Sequence, residues 1–181
     1  MTVITEIFKA NPDFRNAWGQ SFLHEAAAEG NLLMAELLLA RGFSLSAQDV
    51  SGFTPLHFAA LSGHIELVDL FLERGASPDV AALKGYTPLM LAVFRQHHTV
   101  ASRLLSAGSS IDRADRRGRT ALHLAALHDD CRMIGVLRQG GACLQKPMAC
   151  GWRAVDIARK RKCVHVLGVL ERLAAHDQAY S

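Results

Sequence analysis

Glycine returns at one fixed interval along this chain. Gly19, Gly52, Gly85, Gly118 and Gly151 stand 33 residues apart, and so do Gly42, Gly75, Gly108 and Gly141. Leu23, Leu56, Leu89 and Leu122 keep the same step, with Val155 ending the row, as do Ala26, Ala59, Ala92, Ala125 and Ala158. Five units of one length thus run through nearly all 181 residues without an insertion or deletion. That regularity excludes most folds. A unit this short cannot bury its own apolar face, so it has to stack on its neighbours, and each unit then touches only those beside it.

The second unit shows what one brick contains. It reads Gly52-Phe53-Thr54-Pro55-Leu56-His57-Phe58-Ala59-Ala60-Leu61-Ser62-Gly63. Thr54 suits an N-cap, and Pro55 suits the first helical position, where a missing N–H costs nothing. Leu56 and the small pair Ala59 and Ala60 predict a short helix able to approach its neighbours closely. Gly63 ends it with a residue that accepts positive φ. Ile65, Leu67, Val68, Leu70, Phe71 and Leu72 give a second helix a broad apolar face, and Gly75 closes it. Residues 76–86 then read as an extended, hairpin-like link. The Thr-Pro-Leu-His-x-Ala core at this period resembles the ankyrin repeat family. The resemblance implies an all-α solenoid: helix-turn-helix units joined by β-hairpin-like loops, in one domain over 1–181.

By register, an N-terminal cap covers 1–15 and repeats cover 16–48, 49–81, 82–114, 115–147 and 148–175, leaving a tail at 176–181. Ile4, Ile7 and Phe8 have helical spacing, and Asn11-Pro12 ends that capping helix. The first repeat has Phe22 where proline is usual. The third has Met90 in place of the motif histidine and Gln96 in place of the helix-ending glycine; the fourth has Asp129 there. Gly135 lies inside the second helix expected at Cys131–Gln139, where glycine costs about 1 kcal/mol against alanine, making it the softest interior helix. The fifth repeat keeps little of the motif (Arg153-Ala154-Val155-Asp156), and its second helix is expected over Cys163–Ala174. The polar tail from His176 is expected to fray.

Half the residues are apolar and a fifth charged, which suits an ordered, soluble chain. No apolar run approaches the roughly 20 residues that cross a bilayer, and Met1 to Asn11 lacks the basic and apolar regions of a secretory signal. Cys131, Cys143, Cys150 and Cys163 form no C-x-x-C pair and read as reduced thiols. Together these favour an intracellular, cytoplasmic or nuclear, protein. There is no G-x-S-x-G elbow, phosphate loop or dinucleotide motif, so no enzyme and no cofactor is expected. The resemblance implies that His24, His57 and His123, at one register position, hydrogen-bond within and between repeats. His97 and His98 are adjacent and so face differently on a helix; His64 and His128 read as surface residues.

The resemblance also implies a recognition surface on the concave face, built from hairpin tips and the last turn of each first helix. Register places there Trp18 from the first unit, Phe53 and Leu61 from the second, and Leu83, Tyr86, Phe94 and Arg95 from the third. The fourth contributes Arg116, Arg117 and Arg119; the fifth, Trp152, Lys160 and Arg161. The middle of that set is apolar and aromatic, and a basic block lies beyond it. The plainer alternative is that the aromatics shield turns while the arginines solvate an outer face. Charge divides the same way: residues 1–94 hold 5 Lys+Arg against 10 Asp+Glu, a net of −5, and residues 95–181 hold 15 against 7, a net of +8. A stack keeps sequence order in space, so this becomes a lengthwise dipole that steers partners. The expected partner is another protein with apolar anchors and acidic flanks, bound by a monomer acting as adaptor, scaffold or inhibitor. The runner-up is a nuclear regulator or nucleic-acid accessory using Arg159-Lys160-Arg161-Lys162 and the basic half; nucleic acid is the weaker choice.

Overall fold

A residue held in the extended region before each first helix starts every unit: Ser21, Thr54, Thr87, Thr120 and Arg153, with φ between −88° and −99°. The structure, a computed structural model, describes residues 11–179. The first helices are α1 (Phe22–Glu29), α3 (Pro55–Ser62), α5 (Pro88–Phe94), α7 (Ala121–Leu127) and α9 (Ala154–Arg161). Each precedes a second helix: α2 (Leu32–Ala40), α4 (Ile65–Glu73), α6 (His98–Ser106), α8 (Cys131–Gln139) and α10 (Val164–Ala179). No strand forms among the described residues. The fold is an all-α repeat solenoid.

The register rows explain the stacking. Leu23, Leu56, Leu89 and Leu122 are buried where successive first helices meet, and Ala26, Ala59, Ala92, Ala125 and Ala158 let those helices come close. Leu38, Phe71, Leu104, Leu137 and Leu170, again one step apart, are buried on the second helices. Each such leucine contributes about 1.5–3 kcal/mol on burial, and Leu→Ala at these sites costs about 2–5 kcal/mol because the rigid stack collapses little.

The connecting hairpins are stitched without forming a sheet. Each closes on itself, as where the Asp49 N–H donates to the Phe53 carbonyl at 2.9 Å. Each tip also donates to the tip before it: Val50 N–H to Trp18 (2.9 Å), Leu83 to Ser51 (2.9 Å), Arg116 to Lys84 (3.1 Å) and Ala149 to Arg117 (3.0 Å). This row of single bonds fixes the order of the tips in space.

The capping helix expected from Ile4, Ile7 and Phe8 lies outside the described residues; after it, Asn11–Phe14 form a turn, and Phe14 stacks on Phe22 with ring centroids 4.8 Å apart. Phe22, which stands where proline is usual, also meets Phe43 edge-on. The last helix does not stop at Ala174 but continues to Ala179, through much of the stretch expected to fray. Residues 174–179 contain neither glycine nor proline, so nothing in them ends a helix.

Candidate recognition surface

The buried histidines form the frame that carries this surface. The His57 ring accepts from the Thr54 N–H at 3.1 Å through Nδ1, and Nε2 donates to the Tyr86 carbonyl of the next hairpin at 3.1 Å. A carbonyl only accepts, so the proton sits on Nε2 and the ring is neutral. His24 joins Ser21 to Phe53, and His123 joins Thr120 to Trp152, in the same way. Burial takes the His57 pKa down to about 4 and lowers those of His24 and His123. These rings fix the carbonyls of Phe53, Tyr86 and Trp152, three of the candidate residues.

Hairpin carboxylates aim the tips. Asp49 accepts from the N–H groups of Ser51 and Phe53 at 2.9 and 2.8 Å, and Asp115 from those of Arg117 and Arg119 at 2.9 and 2.8 Å. Asn16 does the same for Trp18 and Gln20. Trp18 is left 64% exposed and Leu83 58% exposed.

Two grooves result. The first, of about 270 Å³, is walled by Trp18, Phe53, Phe58, Leu61 and Leu91, with Asp49 and His57 among its polar lining. The second, of about 350 Å³, is lined by Arg117, Arg119, Leu127, Met148, Trp152, Ile157, Lys160 and Arg161. The structure therefore brings together Trp18, Phe53 and Leu61 at one end, and Arg117, Arg119, Trp152, Lys160 and Arg161 at the other. Leu83, Tyr86, Phe94, Arg95 and Arg116 line neither. Phe94 instead meets His128 edge-on at 5.1 Å, while Arg95 and Arg116 are exposed. Phe53 also packs edge-on against Phe58 and His57, so it shields its turn as well as walling a groove.

The basic block is less uniform than its sequence. Arg119 binds the buried Asp115 at 2.7 Å and donates to the Tyr86 hydroxyl at 2.6 Å. Burial works to lower the Arg119 pKa, but the hydrogen bond and charge of Asp115 outweigh it and hold that pKa above its ordinary value. Arg119 and Tyr86 thus satisfy each other. The run from Arg159 to Lys162 is also divided: Arg159 pairs with Glu171 and Asp156, Lys160 lies 4.4 Å over the Trp152 ring, and Lys162 ends α9 at φ +58°.

His64 and His128 are not plain surface residues. Both are half-buried; His64 bonds the Ala28 carbonyl at 3.2 Å, and Nε2 of His128 is enclosed without a partner. Besides Met148, the groove residues that motif reading passed over include Phe58, Leu91 and Ile157. Their shared 33-residue register was the available signal. Among the described residues no group of three or more His, Cys, Asp or Glu converges as a metal site, and no helix is long and apolar enough to cross a membrane.

A family model described as ankyrin repeats (3 copies) matches residues 2–82 and, overlapping, 66–147. No curated protein matches the chain. The helix pairs, the register rows and the span of that match agree: this chain belongs to the ankyrin repeat family.

Proposed function

We propose that the chain is a non-enzymatic protein-recognition module, an adaptor, scaffold or inhibitor, whose two concave grooves receive one partner segment. Ankyrin repeats are generally protein–protein interaction modules. One observation carries the finer reading: equivalent positions of different units build an apolar groove around Trp18, Phe53 and Leu61, and a cationic one around Trp152, Lys160 and Arg161. Tryptophan and arginine are the residues that most often anchor interfaces. An apolar anchor followed by an acidic stretch complements that order.

Selection of a random-peptide phage library on the purified chain tests the reading. Enriched peptides should carry a large apolar residue separated from Asp or Glu. Replacing Trp18 and Leu61 together by alanine should weaken them at least about tenfold. Enrichment without apolar or acidic preference, or affinity indifferent to the two replacements, would sink it.

A further inference from the structure

The groove between the fourth and fifth hairpins combines two surfaces that a plain carboxylate does not use together. Its floor is apolar: Ile157 is buried, and Leu127 and Met148 are half-buried. Its rim is cationic: Arg117 and Arg161 are exposed and form no ion pair among the described residues, and Lys160 is held over Trp152. Arg119, the fourth cation, is already matched by Asp115. Among the described residues no carboxylate lines the groove, whereas Asp49 lines the apolar one. An Asp or Glu side chain would bring one charge to three cations and leave the floor wet. The shape and charge ask for an apolar ring that ends in a dianion.

We propose that this groove takes a phosphotyrosine of the partner protein. Its ring lies on Leu127, Met148 and Ile157 against the Trp152 wall. Its phosphate, carrying about −1.5 to −2 charges near neutral pH, sits among Arg117, Lys160 and Arg161. Guanidinium forks match phosphate oxygens in pairs, and the lysine adds a point charge. Phosphoserine would meet the cations but not the floor; unmodified tyrosine would meet the floor but not the cations. The assignment rests on the recognition reading above and narrows its acidic determinant.

Trp18 and Trp152 are the two tryptophans of the chain, so Trp18→Phe leaves Trp152 as a single reporter beside the groove. Phenyl phosphate, inorganic phosphate, phosphoserine and phenol are titrated against its fluorescence. Phenyl phosphate should bind at least about tenfold more tightly than the other three. Its affinity should rise as pH passes about 6, where the monoester becomes a dianion. Arg117→Ala and Arg161→Ala should each weaken it about tenfold, and Arg161→Lys less, with thermal melts confirming that the variants remain folded. Phenyl phosphate binding no better than inorganic phosphate would mark an adventitious ion only and overturn the proposal, as would indifference to Arg161→Ala. The phage peptides are unphosphorylated. If they bind as expected while phenyl phosphate does not, the phosphotyrosine assignment falls and the recognition reading stands.

Discussion

The imidazole of His97 occupies the space that a side chain on residue 63 would need. A Cβ built on Gly63 would lie 2.5 Å from Cε1 of His97, whose Nε2 donates to the Leu61 carbonyl at 3.1 Å. His64 stands over Gly30 in the same way, 2.6 Å from its absent Cβ. The next two junctions are built differently. Where Gln96 replaces the glycine, the following unit has Asp130 in place of the histidine; it caps its own helix through the Met133 N–H and pairs with His98 at 2.8 Å. Where Asp129 replaces the glycine, the following unit has Cys163, and Asp129 itself accepts from the Val166 N–H in the first turn of α10. Glycine and a bridging ring go together; a side chain at the helix end goes with a carboxylate cap.

Gly63→Ala therefore meets two penalties. Residue 63 has φ +82°, a conformation costing about 1–3 kcal/mol for most residues, and the new methyl would strike the His97 ring. In a His97→Ala background the second penalty vanishes. Urea unfolding of both single variants and the double should give a coupling energy on the order of 1 kcal/mol. Additive losses would show that ring and glycine do not sense each other.

Stability should fall with acid in a defined window. His57 is neutral when folded and has two donors, the Thr54 N–H and hydroxyl, close to its Nδ1. Burial outweighs the opposing pull of the Tyr86 and Val80 carbonyls and of Asp49 and puts its pKa at about 4. The unfolded chain takes up this proton first, near pH 6.5, so the contribution of His57 is complete above about 6.5 and lost as pH falls towards 4. For His57 alone that amounts to roughly 3 kcal/mol, with His24 and His123 adding in the same direction. Asp129 and Asp156, whose pKa values are lowered, lose their contributions as pH falls through the ordinary carboxylate value and on below it, at the acid end of the window and beyond. Urea midpoints followed from neutral pH down to about 4.5 measure the slope. His57→Met, the residue the third unit uses at this position, should lower neutral stability and flatten that slope; a slope as steep as the parent's would contradict the assignment.

Much of the architecture was legible because its signals are local. Thr54-Pro55 and Gly63 act within one helix, and the expected second helix at Cys131–Gln139 is the one observed. The register rows located the core, since a leucine repeated at every unit has one environment. What the chain concealed lies between units. Tyr86 and Arg119 are 33 positions apart and bond to each other, yet each alone reads as a free anchor. The clue was the spacing Asp115 to Arg119, equivalent to Asp49 to Phe53, in which a hairpin carboxylate binds the residue four further on. His128 was misread for the same reason: its enclosure comes from packing against Phe94 of the preceding unit.

Arginines side by side in the fourth hairpin should consequently separate by experiment. The Asp115 side chain is 2% exposed and that of Arg119 17%, so removing the guanidinium strands a buried carboxylate with only its two backbone N–H donors. Arg119→Ala should cost about 2–4 kcal/mol, and Tyr86→Phe, which removes one acceptor, about 1 kcal/mol. Arg116 and Arg117 are exposed and form no ion pair among the described residues, and alanine at either should change stability by no more than about 0.5 kcal/mol. Binding should sort them differently: Arg117 lines the cationic groove and Arg116 does not, so with phenyl phosphate as probe only Arg117→Ala among this pair loses affinity. Urea unfolding and the Trp152 titration, run on the same four variants, read the two properties separately. Arg119→Ala as stable as the parent, or Arg116→Ala and Arg117→Ala equal in both assays, would mean that the buried pair does not divide this hairpin into a structural arginine and an available one.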